Sequence, residues 1–140
     1  MVPQQVDAAI SADDLKAVTD ALETIREKLP FLVGLTSTQR RELVKIGRKS
    51  QTFVVQALDM AEEHSDLMPR CLSVEDARRD MELFEALNPI LLSLSQLQKL
   101  VEDTQMVAGS EAYAAARLAY QSAKTLGKGL GLDEAIATLL

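Results

Sequence analysis

Cysteine and histidine each occur once among the 140 residues. A single cysteine, Cys71, cannot form a disulfide within the chain, which is typical of a reducing compartment, so we predict a cytoplasmic location. A structural zinc site needs about four Cys or His ligands, and a ferritin-like di-iron site needs two Glu-x-x-His repeats. Because His64 is alone and Ala61 stands three residues before it, we predict no metal and no cofactor.

Basic residues are outnumbered by acidic ones, 15 to 21, and long apolar runs are scarce. The formal net charge is −6, whereas a protein that binds nucleic acid usually carries the opposite balance, so no nucleic-acid partner is expected. No stretch approaches ~18 uninterrupted apolar residues, so no membrane span is predicted. Residues 1–10 lack a basic segment followed by an apolar stretch, so they are interpreted as a flexible leader and not as a secretory signal.

The composition indicates an all-α protein. Proline and glycine number only 4 and 6, while hydrophobic residues make up 47% of the chain. This length predicts a single domain, over residues 11–140. In the first predicted helix Leu15, Val18, Leu22 and Ile25 recur every three or four residues, which places them on one face.

Capping signals set the predicted helix boundaries. Ser11 with Asp14 and Thr36 with Gln39 have the spacing of capping boxes, and Ser73 opens the third helix. Gly109 and Ser110 together resemble a helix end followed by a helix start. We therefore predict helices over residues 11–29, 37–64, 74–107 and 111–126, with a possible short helix over 133–140. Short connections between four main helices predict an up-and-down four-helix bundle.

Pro89 falls within the predicted third helix. Asn88 and Pro89 could cap and start a new helix, but the apolar stripe keeps its phase across them. We favour one long helix that is kinked where Pro89 frees the carbonyl of Glu85, and two helices broken at Asn88 remain the alternative.

The connector after the first helix is unusually apolar. If it is exposed, its large side chains form a surface that suits a partner or a second copy, and if it is buried they cover one end of the bundle. Because loops of this composition usually pack inward, we favour burial. The side chains concerned are Phe31, Leu32, Val33 and Leu35.

A basic patch comprises Arg41, Lys45, Arg48 and Lys49. It lies on the first half of the predicted second helix, where the helix dipole attracts anions, so it could bind a phosphate or an acidic partner. The favoured interpretation is a solvated face that pairs with the acidic third helix.

Few residues suggest chemistry. Pro89, Tyr113 and Tyr120 could line a pocket in a bundle core, although tyrosines at this spacing are more often aromatics at the core edge. Cys71 in a turn is interpreted as a small buried residue, His64 as a helix-end residue facing the dipole, and Asp103 as the most interior of the carboxylates. No spacing indicates a catalytic group, so we predict no catalytic residues.

Three segments carry a likeness to other proteins: LPFLVGLT (residues 29–36), GRKSQTFVVQAL (47–58) and EDTQMVAGSEAYAAA (102–116). Together they resemble a group of uncharacterised bacterial helical-bundle proteins. The resemblance implies a bacterial helical bundle and assigns no functional residues.

Two functions fit this sequence. The favoured one is a non-enzymatic interaction or scaffold bundle that self-associates, because catalytic groups are missing and apolar patches are present. The alternative is a carrier of a small molecule or cofactor, with its pocket in the bundle core near Pro89.

Overall fold

A computed structural model describes residues 6–127 and 131–139, and every regular element in these ranges is helical. The prediction of an all-α protein is confirmed. The α-helices are α1 (Ala12–Lys28), α2 (Ser37–Glu42), α3 (Arg48–Glu63), α4 (Val74–Leu126) and α5 (Asp133–Ala137), and one 3-10 turn (Ser65–Leu67) follows α3. Within the described ranges no helix is both long and apolar enough to cross a membrane.

The predicted capping residues begin the helices as expected. The Ser11 hydroxyl accepts a hydrogen bond from the backbone N–H of Asp14 at 3.0 Å, and α1 starts one residue after Ser11. Thr36 and Gln39 form a complete capping box, with reciprocal bonds of 3.0 and 3.1 Å. Ser73 caps α4 in the same way as Ser11 caps α1. Because these bonds satisfy backbone donors that have no partner inside the helix, short polar sequences fix these starts.

The prediction of one helix over residues 37–64 is wrong. Leu43 ends α2 in an extended conformation, and α3 begins only after Gly47, whose φ of −101° and ψ of −163° are also extended. The intervening Val44 and Ile46 are β-branched, and such residues lose side-chain freedom in a helix. These two residues and Gly47, which has a low helix propensity, prevent α2 from continuing into α3.

The predicted break at Gly109 and Ser110 is also wrong, because α4 runs for 53 residues through both. Gly109 does not adopt the positive φ of a glycine that ends a helix, and among the described glycines only Gly131 does so. One glycine inside a helix costs about 1 kcal/mol relative to alanine. The alanine-rich sequence on the C-terminal side of Gly109 favours the helix, so it offsets this cost and the helix continues.

Pro89 lies inside α4 and does not end it. The alternative of two helices broken at Asn88 is therefore wrong, and the kink stays a prediction. Proline has no N–H to donate to the carbonyl of Glu85, so one bond of the helical ladder is missing there.

The described chain divides into two compact units. The first unit covers Ile10–Ile90, and its buried side chains are Leu58 and Ala61 of α3 and Met81 of α4. The second contains α4 from Leu91 onwards, α5 and the described residues before Ile10. Of the predicted leader, residues 1–5 lie outside the described part, and residues 6–10 precede the first helix. A single domain over residues 11–140 stays a prediction.

The side chains assigned to a bundle core are largely exposed. No residue of α1 is buried, and Leu15 and Val18 on its apolar stripe remain more than half exposed. Only Met81 is buried along α4. The amphipathic patterns are therefore present, but the described chain does not cover them, and the four-helix bundle stays a prediction.

Gly109→Ala tests the continuity of α4. A Cβ at this position meets no atom within 4 Å, so we expect the substitution to raise the free energy of unfolding by up to about 1 kcal/mol. Urea denaturation followed by circular dichroism measures the change. Gly127→Ala is the control, because its Cβ would collide with the carbonyl oxygen of Ala123 and should destabilise the end of α4. A lower stability of Gly109→Ala would show that the helix breaks there.

Candidate interaction surface

The junction between α3 and the start of α4 combines a small apolar core with a bridging arginine. Arg78 of α4 donates to Asp59 at 2.9 Å and to Glu62 at 2.7 Å, both on α3. These bonds lie beside the buried side chains of Leu58 and Met81. The junction therefore holds the first turns of α4 against the last turns of α3.

Arg78 also offsets an unfavourable charge arrangement in α3. The first turn of α3 contains Arg48 and Lys49 and no acidic residue, and its last turn contains acidic residues and no basic one. The helix dipole favours the opposite arrangement. The guanidinium supplies a positive charge beside that last turn. The hydrogen bond to Asp59 raises the pKa of Arg78 most, desolvation opposes it, and the bond to Glu62 adds to it. A raised pKa stabilises the folded chain below the pKa of the unfolded arginine, so this contribution is present at neutral pH and is lost in strong base.

An apolar seam runs along α4 in the second unit. Its positions are separated by three or four residues, which keeps them on one face of the helix. The first three are large, and Leu97 and Val101 are 56% and 60% exposed. We define the α4 seam as Leu94, Leu97, Val101, Thr104, Ala108, Ala112, Ala115 and Ala119. Thr104 fits this apolar surface because its hydroxyl donates to the carbonyl of Leu100 at 2.7 Å and needs no outside partner.

The alanine half of this seam was missed by sequence reasoning. Leu94, Leu97 and Val101 belong to the apolar stripe that keeps its phase past Pro89 in the predicted third helix. The predicted break at Gly109 separated them from the alanines. The signal that could have joined them is the spacing of 4, 3 and 4 residues from Ala108 to Ala119, which continues the phase of the leucines.

The expectation that the connector after α1 is buried is wrong. All four of its large side chains are exposed, and Val33 is 84% exposed. The turn at Pro30 and Phe31 is followed by four residues without regular structure and then by Thr36, the cap of α2. The structure therefore leaves Phe31, Leu32, Val33 and Leu35 accessible, as a partner surface requires.

The basic patch is divided between elements. Arg41 lies on α2, Lys45 in the connector, and Arg48 and Lys49 at the start of α3. The ammonium of Lys45 donates to the carbonyl oxygen of Arg40 at 3.0 Å, which satisfies one of the last carbonyls of α2. Among the described residues the ion pairs between α3 and α4 are made by Arg78 and not by this patch, so its pairing with the acidic third helix stays a prediction.

The two tyrosines line one groove, whereas Pro89 is not among its lining residues. The groove has a volume of about 520 Å³ and is bounded by Tyr113, Tyr120 and, after α5, Leu139. It belongs wholly to the second unit, while Pro89 belongs to the first. This groove therefore does not bring Pro89 and the two tyrosines together in one pocket.

The other polar candidates lie apart on the surface. His64 is the C-cap residue of α3 and is exposed, and Asp103 is exposed on α4. Cys71 is exposed in a turn, so the expectation that it is buried is wrong. Across residues 6–127 and 131–139, no group of three His, Cys, Asp or Glu side chains is arranged to hold a metal ion.

Replacing Arg78 tests the α3–α4 junction. Arg78→Ala removes both bonds to α3 and leaves two acidic side chains beside the negative end of that helix, so we expect a lower urea midpoint. The control is Arg79→Ala, which removes only the bond to Asp76 within the same helix. Added salt should reduce the difference from wild type, since it screens exposed charges. Equal midpoints for the two variants would contradict this role of Arg78.

Comparison with known proteins leaves the surfaces themselves as the basis for inferring function. No protein-family model, no curated protein and no solved structure matches the chain. The resemblance of residues 29–36, 47–58 and 102–116 to bacterial helical-bundle proteins therefore stays a prediction.

Proposed function

We propose that the protein is a non-enzymatic interaction protein that self-associates by pairing the α4 seam with the same seam of a second copy. The observation that carries this proposal is the exposure of Leu97 and Val101 on a face with coiled-coil spacing. When a second helix covers water-exposed apolar side chains at this spacing, the free energy of the system falls.

The sizes of the seam residues favour antiparallel pairing. In an antiparallel pair Leu94 faces Ala119 of the second copy, Leu97 faces Ala115, and Val101 faces Ala112. Each layer then combines one large and one small side chain, and the two helices keep a constant separation of about 8–10 Å. A parallel pair would place leucine on leucine at one end and alanine on alanine at the other, which requires two different separations.

The seam alone gives a weak dimer. Six large side chains, three from each copy, are about half exposed, so covering them contributes on the order of 5–9 kcal/mol. Association costs roughly 4–15 kcal/mol, so further apolar area is needed for a stable complex. The exposed stripe of α1 and the connector at Phe31–Leu35 supply candidates for that area. We therefore propose that the four-helix bundle forms between copies, with α1 as a source of the remaining helices.

Three further expectations belong to this proposal. We expect a bend of α4 at Pro89, because one bond of the helical ladder is missing there. Such a bend would let the two halves of α4 pack against different partners. An exposed single cysteine is suited to a reducing compartment, which supports a cytoplasmic location. Bacterial origin rests on the resemblance of the three segments.

Leu97→Glu tests self-association directly. Sedimentation equilibrium of the wild type should give a mass that rises with concentration above the 15.3 kDa of one chain. Leu97→Glu places a charge in the seam of both copies, so we expect the dissociation constant to rise at least ~100-fold. Gln96→Glu adds the same charge at the next position, off the seam, and should associate like the wild type. A wild-type mass of one chain at every concentration would contradict the proposal.

The direction of pairing is tested by spin labels. In a Cys71→Ser background, a label at Ser95→Cys should lie about 35 Å from its counterpart in an antiparallel pair, at ~1.5 Å of rise per residue. A parallel pair would bring the two labels within about 20 Å, since its helices lie about 8–10 Å apart. Double electron–electron resonance measures this separation. The shorter distance in a confirmed dimer would refute the antiparallel arrangement and leave self-association intact.

A further inference from the structure

A second face of α4 carries alternating aromatic and cationic side chains. Tyr113, Arg117, Tyr120 and Lys124 are spaced 4, 3 and 4 residues apart, so they share one side of the helix. This side is distinct from the α4 seam. Together with Leu139 the four side chains line the groove of about 520 Å³. That volume lies within the range of small-molecule sites in proteins, about 300–1,000 Å³.

The groove is positively charged in a chain of net charge −6. Arg117 and Lys124 line it, and none of its lining residues is acidic. Neither cation takes part in the ion pairs recorded among the described residues. Uncompensated cations in an otherwise acidic protein attract anions locally, whatever the net charge of the whole chain.

The aromatic rings add a requirement on the shape of the ligand. The ammonium of Lys124 lies 6.0 Å from the centroid of the Tyr120 ring, so a cation and an aromatic face already meet in the groove. Tyr113 is 68% exposed and offers a second aromatic surface two helical turns away. A flat apolar body can stack on such rings while its charged group approaches the cations.

From these observations we propose that the groove between the C-terminal part of α4 and Leu139 binds a small, flat aromatic anion. Arg117 and Lys124 hold the anionic group, and Tyr113 and Tyr120 contact the aromatic body. A guanidinium suits a carboxylate or a phosphate equally, because its planar fork matches either oxygen pair. The proposal is independent of self-association, since the α4 seam occupies another side of the helix.

Isothermal titration with 2-naphthoate tests the site in the full-length protein. A ligand of this size should bind with a dissociation constant of about 1 mM. Its neutral counterpart 2-naphthamide should bind at least ~10-fold more weakly, because it lacks the charge that the two cations recognise. Naphthyl phosphate in a parallel titration distinguishes carboxylate from phosphate preference.

The double variant Arg117→Gln, Lys124→Gln should weaken 2-naphthoate binding at least ~10-fold while the helical content stays unchanged. Lys99→Gln is the matched control, because it removes an exposed cation from the same helix outside the groove, and it should bind like the wild type. Equal binding of 2-naphthamide, an equal loss in Lys99→Gln, or no binding of 2-naphthoate up to about 5 mM would overturn the proposal. Tighter binding of a short single-stranded oligonucleotide than of 2-naphthoate would also overturn it, in favour of a nucleic-acid surface.

Discussion

The continuity of α4 through Gly109 is the constraint on which the other features depend. Because the helix continues through Gly109, leucines on its N-terminal side and alanines on its C-terminal side lie on one face. The same continuity places Tyr113, Arg117, Tyr120 and Lys124 on another side of the same helix. A break at Gly109 would set the phase of the second half independently of the first, and the seam would not exist as one surface.

Local signals predicted the starts of α1, α2 and α4, but not that of α3, and context decided where the helices end. The capping bonds of Ser11, Thr36 and Ser73 involve residues three positions apart, so sequence spacing alone identifies them. Gly47 and Gly109 show the difficulty of the ends. Gly47 follows β-branched residues and lies outside a helix, whereas Gly109 precedes an alanine-rich stretch and lies inside one. A glycine penalty of about 1 kcal/mol is small enough for such neighbours to reverse its effect.

Burial was the harder property to predict, because an amphipathic pattern specifies a face and not what covers it. The pattern on α1 and α4 is the one that a bundle needs, yet the described chain leaves both faces exposed. The same reasoning explains the connector at Phe31–Leu35, whose composition suggested burial. The tyrosine pair was found by its spacing, but the groove it lines depends on Leu139, which no sequence period connects to α4.

Amide hydrogen exchange across residues 95–115 tests the central claim most directly. If α4 is continuous and its seam is covered by a second copy, the amides of Gly109 and Ser110 exchange as slowly as those of Leu97 and Val101, and all four slow further as protein concentration rises. Fast exchange confined to Gly109 and Ser110, or protection that does not change with concentration, would contradict a continuous, self-associating α4.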